Sequence, residues 1–570
     1  MINLIDIKND KFLSTFSTKE LEVLSKEIRE FIIDKVSRKG GHLSSNLGIV
    51  ELTVALHKHY SDNIAYIFDV GHQAYTHKIL TGRAKDFDTL RDLDGLSGIV
   101  SREEDPIADI WGVGHSSTSI AALSGFAYLG KRAVAIIGDG AMTGGEAYEG
   151  LEFLSTIKNK ALILLNENYM SISPNVGAMT IINNKKAYFE LLGFNYIGPI
   201  DGHNFDEIEK ALSLADKYDT PVVVHALTKK GKGYKFAEED KVGRWHATAP
   251  FDIATGNPLQ STPGYIAYDQ AVANYLEEFY AKTRNLIVIN PAMTQSCGFQ
   301  NLKDNLGSNY IDTGITEQLA ASLAASLSIN NKNVFLALYS SFGQRAFDQL
   351  MEDIALQNLH VVIGIDKCGI VSDTGKTHQG IYDIGYLNAI PNLTILSPST
   401  YKEIFSSLDY AFNKCSGPVV IRYPQTKVKI EDVHILSSDM NLSWDKIHNL
   451  KSPKAYLIAH SSSIEYLFDT TKELNVELVY ARCLRPLDTN LLLEISKSNL
   501  PIYVYEEAPY NNSLASMILS FYNERGINKH IESIGLPFDY IGVGPLEDLR
   551  KKYKIDKVSV FNRLKKDLCD

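Results

Sequence analysis

The sequence predicts an α/β protein of three domains. Short apolar runs recur along most of the chain, amphipathic helical stretches separate them, and two polar tracts interrupt the alternation. The runs include AVAII (133–137), ALILL (161–165), PVVVHAL (221–227), NLIVI (285–289), VFLAL (334–338), HVVIGI (360–365) and PIYVY (501–505). Continuous apolar runs of this length suit strands buried on both faces of a parallel sheet, and strands alternating with helices define the α/β class. The first tract, 250–264, is rich in Pro, Gly, Ser and Thr and precedes a helix expected over Tyr265–Tyr280. The second, 424–453, is polar, lacks strong periodicity and precedes a strand at AYLIA (455–459). Cuts near 258 and 440 give domains 1–258, 259–440 and 441–570, a division in keeping with the 570-residue length. No repeat of 20–50 residues and no low-complexity tract is visible.

Bulk properties exclude several classes. A hydrophobic content of 45% and a charged content of 22% belong to a globular protein with ample core. The formal charge of -11 argues against nucleic acid as the main partner, since phosphate backbones select basic surfaces. A local cluster of Arg and Lys can still bind an anionic small molecule. The five cysteines, Cys297, Cys368, Cys415, Cys483 and Cys569, are scattered and never form a CxxC pair, which reads as reduced cytosolic thiols. Charges at Asp6, Lys8, Asp10 and Lys11 break up any signal-like apolar core, and no apolar run approaches the roughly 18 residues of a membrane span. A cytoplasmic protein without membrane or nucleic-acid partners is expected.

The strongest local signal is KRAVAIIGDGAMTGG (131–145). A buried strand runs into Gly138-Asp139-Gly140, which puts Asp139 at the carboxyl end of a parallel strand, where open α/β sheets bind ligands. Flanking glycines let a ligand approach the backbone. An aspartate at this point suggests a divalent cation joining protein to phosphate, and magnesium requires further oxygen donors. Asn168, in ALILLNENYMSIS (161–173), lies 29 residues on at the next strand end, and the carbonyl of Met170 supplies a third donor. The competing reading is a tight GDG turn beside an unrelated loop Asn. Upstream, Gly114, His115 and Ser116 in GVGHSSTS (112–119) precede a helix starting near Ser119, an arrangement suited to a diphosphate.

Together these blocks resemble the 1-deoxy-D-xylulose-5-phosphate synthase family within the transketolase-like superfamily. The matching segments are GGHLSSNLGIVELTVALH (40–57), DVGHQAY (69–75), HKILTGR (77–83), GHSSTSI (114–120), GDGAMTGGEAYE (138–149) and NENYMSISPNVGAM (166–179). TKKGKGY (228–234), PAM (291–293), TEQ (316–318), YSSFGQRAFDQ (339–349), THQGIYD (377–383), IRYP (421–424) and RPLD (485–488) continue the series in the family's order. The resemblance implies two parallel-sheet domains that bind thiamine diphosphate, a smaller C-terminal α/β domain, and a homodimer. It implies that Asp139, Asn168 and Met170 hold Mg2+, and that His72, Gly114, His115, Ser116, Gly140, Ala141, Asn168 and Tyr234 hold the cofactor, with Glu317 at its pyrimidine and Phe342 stacked on it. The implied substrates are pyruvate and glyceraldehyde 3-phosphate, with a product that feeds isoprene and thiamine biosynthesis.

The residue types suit such chemistry. A carboxylate at Glu317, opening a helix after NYID, can hold a pyrimidine nitrogen, although an acid in a first turn is commonly only favourable with the helix dipole. His42, His246 and His378 match the family's proton donors near the reacting oxygens. Arg422 ends the run PVVIRY (418–423), from where its guanidinium can grip an acceptor phosphate, and Tyr339 and Arg345 complete a polar wall by the same resemblance. Four departures fall on the acceptor side. Leu319 stands where the family has His. Lys367 stands where it has Arg, keeping the phosphate-binding charge but losing the planar fork. Thr374 takes the place of an Asp, with Asp373 one position earlier, and Gly343 replaces a bulky residue, which predicts a wider pocket. Two alternatives accompany the main reading, a paralogue with another aldehyde acceptor and a catalytically silent cofactor-binding partner.

Overall fold

The computed structural model describes residues 3–182, 184–259, 264–372, 374–430 and 440–569. Contacts divide the chain into two compact units, Met1–Ser261 with Gly314–Thr316, and Thr262–Thr313 with Glu317–Asp570.

The first unit is built on five parallel strands, β1 (Ala65–Phe68), β2 (Ala133–Gly138), β3 (Leu162–Glu167), β4 (Asn195–Asp201) and β5 (Val222–Leu227), in the order β1-β2-β3-β5-β4. Successive strand residues point to opposite faces, and both faces are covered. Val134, Ile136, Leu162, Leu164, Val222 and Val224 pack with Leu24, Ile28 and Val54 of the helices Thr18–Lys39 and Val50–Tyr60. Ala135, Ile137, Ile163, Leu165 and Val223 pack with Ile120, Leu123, Leu151 and Leu154 of the helices Ser119–Tyr128 and Gly145–Ser155. Each fully buried Val, Ile or Leu stabilises by about 1.5–3 kcal/mol, so one polar substitution in β2 or β3 would be severe.

The helix Thr18–Lys39 starts at a capping box, in which the Ser17 backbone N–H donates to Glu20 Oε2 at 2.7 Å. It stops at Gly40, whose φ of 73° frees the chain to turn. Gly41 then pairs antiparallel with Thr248, each N–H donating to the other's carbonyl at 2.9 Å. That bridge sets His42 beside the segment carrying His246.

The second unit holds three sheets. Its strands are β6 (Tyr265–Ala267), β7 (Leu286–Asn290), β8 (Tyr310–Asp312), β9 (Asn333–Tyr339), β10 (Val362–Cys368), β11 (Thr394–Leu396), β12 (Val419–Pro424), β13 (Lys427–Lys429), β14 (Asp445–Lys446), β15 (Ala455–Ala459), β16 (Val476–Tyr480), β17 (Cys483–Arg485), β18 (Ile502–Pro509) and β19 (Ile531–Leu536). A seven-stranded sheet runs β17-β11-β12-β10-β9-β7-β8, a five-stranded sheet runs β14-β16-β15-β18-β19, and β13 pairs with β6. The large sheet is parallel except at β17, which the C-terminal part of the chain contributes antiparallel to β11. This strand exchange joins the last two α/β layers within one compact unit.

Two expectations need correction. Residues 265–267 are not helical: they pair antiparallel with Lys427–Lys429, and the helix runs Tyr268–Thr283. The tract 250–264 is not a free linker at its start, because Phe251 is buried against Trp245 and Tyr234, and Phe251 bridges to Pro258. Residues 260–263 lie outside the described residues, as do 431–439 of the second tract. The rest of that tract carries β13, β14 and a buried Trp444 whose indole donates to the Cys483 carbonyl at 2.7 Å. Cys297, Cys368, Cys415 and Cys483 are free thiols, and the side chain of Cys569 lies outside the description. Among the described residues no helix is long and apolar enough to cross a membrane.

Candidate active site

In the first unit the tips of β2 and β3 meet through the Asp139 carboxylate. Its Oδ1 accepts the Gly140 N–H at 3.0 Å, and its Oδ2 accepts the N–H groups of Asn168 at 3.1 Å and Tyr169 at 2.6 Å. Tyr169 holds a φ of 65°, a left-handed turn that folds the chain back over the carboxylate. The Asn168 side-chain oxygen accepts the Met170 N–H at 3.2 Å, and an amide oxygen has a second lone pair for another partner. Burial pushes the Asp139 carboxyl up, while the N–H groups of Tyr169 and Asn168 and the Asn175 amide pull it back.

Asp139, Asn168 and Met170 are therefore brought together, as expected. Two further residues join them. The Lys230 ammonium lies 3.5 Å from the Met170 carbonyl and also donates to the Ser171 carbonyl. Burial brings Lys230 down to about 8, against the opposing pull of Asp139 and Asp240. Asn175 is half-buried, with both amide atoms shut away from solvent. A Cβ at Gly140 would lie 2.4 Å from Ser171 Cβ and 3.0 Å from Asn175 Oδ1, so only glycine fits beneath this loop.

The loop 114–118 is fixed from β1. The buried Asp69 carboxylate, one residue past the strand, accepts the N–H of Ser117 at 2.8 Å and of Ser119 at 3.1 Å. Ser119 opens the helix Ser119–Tyr128, so Asp69 serves one of the N–H groups that a helix start leaves unbonded. The Ser117 hydroxyl donates to the Ala141 carbonyl at 2.7 Å, tying this loop to the Asp139 turn. A Cβ at Gly144 would stand 2.2 Å from Ser117 Oγ, a second position that only glycine satisfies. Gly114 and Ser116 are buried at the helix mouth and His115 is half-buried.

His42, His72 and His246 form one cluster, with ring centroids 5.1 Å (His42–His72), 5.5 Å (His42–His246) and 5.0 Å (His72–His246) apart. The sequence separates them by up to 204 positions, and the Gly41–Thr248 bridge explains the meeting. His72 Nε2 contacts Ser45 Oγ at 3.1 Å, while the buried Nδ1 atoms of His72 and His246 have no hydrogen-bond partner. Burial, reinforced by the Lys230 charge, drives His72 down to about 3 and His246 well below the ordinary imidazole value. Both shifts favour the neutral ring. The Tyr234 ring packs on Phe251 and on Trp245, the neighbour of His246, and its hydroxyl donates to the Ile253 carbonyl at 3.0 Å.

In the second unit the expected residues gather at the carboxyl ends of β9 and β10. The Tyr339 ring stacks on Phe342 at 5.5 Å, Phe342 meets the His378 ring edge-on at 5.4 Å, and the Lys367 ammonium lies 5.5 Å over the Tyr339 ring. Gly369 and Gly380 exchange backbone hydrogen bonds at 2.8 and 3.0 Å, which pins the THQG turn beside β10. Glu317 is buried at the start of the helix Glu317–Ile329. Burial pushes its carboxyl up, and the positive charge of Arg345 opposes that shift.

Two of the cations expected to bind phosphate are engaged internally. Arg422 is buried and donates twice to Asp383, Nε at 2.5 Å and Nη2 at 3.1 Å. Lys367 Nζ lies 2.7 Å from Asp269 Oδ2 and 3.1 Å from Asp366 Oδ2. Nor does Gly343 open a wider pocket: a Cβ there would stand 2.6 Å from the Tyr386 hydroxyl, which fills the space and donates to the Ser340 carbonyl at 2.9 Å. Leu319 is 55% exposed in the first turn of the helix Glu317–Ile329. Thr374 Oγ1 is buried without a partner, and Asp373 lies outside the described residues.

Comparison with known proteins agrees with the arrangement. A family model described as 1-deoxy-D-xylulose-5-phosphate synthase matches residues 4–185 and 180–228. The transketolase pyrimidine-binding domain matches 264–430 and the transketolase C-terminal domain 447–560. The 1-deoxy-D-xylulose-5-phosphate synthase of Macrococcus caseolyticus is 36% identical over 623 aligned residues, which cover 99% of each chain. The chain belongs to the 1-deoxy-D-xylulose-5-phosphate synthase family. The enzyme of the same name from Listeria monocytogenes is 37% identical over 597 residues, covering 100% of this chain and 98% of that one.

For a member of this synthase family, the first-unit site fits a hard cation and a diphosphate. One carboxylate, one amide oxygen and one carbonyl are oxygen donors of the kind magnesium takes, and an ammonium already rests against that carbonyl. The Asn175 amide atoms, shut away from solvent and packed over Gly140, mark a polar cradle. Among the described residues, no group of three His, Cys, Asp or Glu side chains could hold a metal. Sequence reasoning missed Asp69, Asn175 and Lys230. All three stand inside matched segments or beside them, and their place within those segments was the only available signal.

Proposed function

We propose that this chain condenses pyruvate, with loss of carbon dioxide, with D-glyceraldehyde 3-phosphate to give 1-deoxy-D-xylulose 5-phosphate, using thiamine diphosphate and Mg2+. Family membership over essentially the whole length supports the reaction. The observation that carries the cofactor reading is the joining of two strand tips by Asp139, with Asn168 and Met170 at the same point. The family resemblance also implies a cytoplasmic homodimer.

When bound, thiamine diphosphate supplies a nucleophilic carbon that takes up the two-carbon fragment of pyruvate. Asp139, Asn168 and the Met170 carbonyl would hold Mg2+ on the diphosphate, and Lys230 would offset its negative charge. The N–H groups at the start of the helix Ser119–Tyr128, held in place by Asp69, would face the same anion. Glu317, pushed towards its neutral form by burial, suits a carboxyl that shares a proton with a pyrimidine nitrogen. Neutral His72 and His246, with His42 against both, are suited to donate or accept a hydrogen bond at substrate oxygens without bringing a charge. Phe342 and Tyr339 offer a stacked aromatic wall to a planar ring, and His378 sits at its edge.

The test is mass identification of the product from pyruvate and D-glyceraldehyde 3-phosphate with both cofactors supplied. A ketose of the expected mass, appearing in step with carbon dioxide, supports the proposal. Carbon dioxide without that ketose, or no carbon dioxide at all, refutes it.

A further inference from the structure

At Asp366–Lys367 the ladder between β10 and β12 shifts register, and Lys367 takes a φ of 58°. Such a bulge turns a side chain away from its regular strand position, and a lysine rarely adopts this backbone conformation without compensation. Here the Asp366 carboxylate accepts the Lys367 N–H at 2.6 Å, and the side chain is delivered onto the Tyr339 face. The ammonium then meets Asp269 Oδ2 at 2.7 Å, with both side chains almost wholly buried.

Asp269 lies in the first turn of the helix Tyr268–Thr283, where an acid is favourable with the helix dipole alone. That explains its charge but not its geometry. Its Oδ1 accepts the Gln270 N–H at 2.7 Å, while Oδ2 is directed at Lys367. Asp366 adds a second carboxylate 3.1 Å from the same ammonium, and burial pushes that carboxyl up. The cluster around Lys367 thus carries no net positive charge. Arg422 is cancelled in the same way by Asp383. An acceptor phosphate gains little from a cation whose charge is already matched at hydrogen-bond distance.

We propose that Asp269 is a specificity-determining residue: its ion pair with Lys367 removes the charge preference for a phosphorylated acceptor and admits unphosphorylated hydroxyaldehydes such as glyceraldehyde to the same reaction. The proposal rests on the pyruvate–aldehyde reading above and widens its acceptor class. The chemistry balances unchanged. The bond between the carboxylate carbon and the keto carbon of pyruvate breaks to release carbon dioxide, the electron pair left behind forms the bond to the aldehyde carbon, and the aldehyde oxygen takes up one proton.

The experiment compares kcat/KM for D-glyceraldehyde 3-phosphate and D-glyceraldehyde on the holoenzyme at saturating pyruvate. In the native enzyme the ratio is expected below about tenfold, less than one free charged hydrogen-bond donor would contribute. Asp269→Asn is expected to raise the ratio by about tenfold, mainly through KM for the phosphorylated acceptor. Lys367→Met should cost that ratio several times more in the D269N background than in the native one, which a purely structural role for Asp269 would not produce. Inorganic phosphate, used as a competing ligand, should inhibit D269N at lower concentration than the native enzyme. A native ratio above about a hundredfold, or no change in the ratio or in phosphate inhibition on D269N, overturns the proposal. Should D269N fail to fold, Asp269→Ser and the native ratio decide it. If no aldehyde yields a ketose, the proposed function fails, and phosphate inhibition of carbon dioxide release still tests the Asp269–Lys367 pair.

Discussion

Asp69 offers the most direct test of how the first-unit site is built. Its carboxylate is 1% exposed and accepts two N–H groups, from Ser117 at 2.8 Å and Ser119 at 3.1 Å. Hydrogen bonds to a charged group are worth about 1.5–3 kcal/mol each, so Asp69→Ala should cost about 3–6 kcal/mol and leave both donors buried without partners. Asp69→Asn keeps one acceptor oxygen but turns an NH2 group towards the other donor, which should cost about 2–4 kcal/mol. A neighbouring change calibrates the scale: Ser117→Ala removes the neutral bond to the Ala141 carbonyl and a long contact to Ser116 Oγ, at about 1 kcal/mol. The assay is urea unfolding followed by circular dichroism, paired with calorimetric titration of thiamine diphosphate in the presence of Mg2+. D69N should lower the unfolding midpoint more than S117A and weaken cofactor binding by about tenfold or more, because the loop it orders is the one proposed to face the diphosphate. If D69N matched S117A in stability and bound the cofactor as tightly as the native protein, the assignment of Asp69 as the anchor of this loop would be wrong.

Three further outcomes are expected. Gly140→Ala places a Cβ 2.4 Å from Ser171 Cβ, so the Asn168–Asn175 loop must shift, with a loss of about 1–3 kcal/mol in stability and a clear fall in Mg2+-dependent cofactor affinity; unaltered calorimetric binding would contradict the cradle. Glu317→Ala should abolish carbon dioxide release from pyruvate while leaving the far-ultraviolet spectrum intact, and persistent release would remove Glu317 from its role. Asp366 is raised to about 7, chiefly by burial, so the folded protein favours its protonated form. Its contribution to stability is therefore complete below the ordinary carboxyl range and is lost as pH rises through about 7. The stability of Asp366→Asn relative to the native protein should rise between pH 4 and pH 8 by up to about 4 kcal/mol, measured by paired urea midpoints, and a flat or falling difference would refute the sign.

The backbone of the first unit was legible because its strands are apolar on both faces: AVAII and ALILL admit no half-exposed strand, and they stand in β2 and β3. Tyr265–Ala267 was misread because the partner that makes it a strand, Lys427–Lys429, lies 160 residues away, and an isolated triplet ahead of a helix has no period of its own. The Asp139–Asn168 pair was legible because both sit one or two residues past a buried run, where a parallel sheet presents its ligands. Lys230 was not, since nothing local distinguishes it from Lys229, which pairs with Glu238 in an exposed bridge. Gly343 was read as missing bulk, but the space it leaves is claimed by Tyr386, a residue from another element. Local pattern identifies what a position presents, whereas the atoms opposite it come from distant parts of the chain.

The same contrast explains why charge pairing had to be seen rather than read. Several buried acids are held well below their ordinary range by the groups that bond to them, as Glu51 is by His203 and Arg29, and Asp109 by His77 and Arg83. Asp139 and Glu317 go the other way, because burial outweighs the opposing donors and charges. His72 and His246 also shift towards the neutral form, with Lys230 adding to the effect of burial. Direction alone does not mark a reacting group, since Glu506 is raised as well while its oxygens accept the N–H groups of Leu514 and Ala515 at a helix start. Position completes the argument. Asp139 stands at a strand tip where it gathers the N–H groups of Asn168 and Tyr169, Glu317 opens a helix, and His72 and His246 each keep a buried ring nitrogen without a partner. An uncompensated buried group costs stability, and a fold retains that cost most readily where a ligand supplies the missing partner.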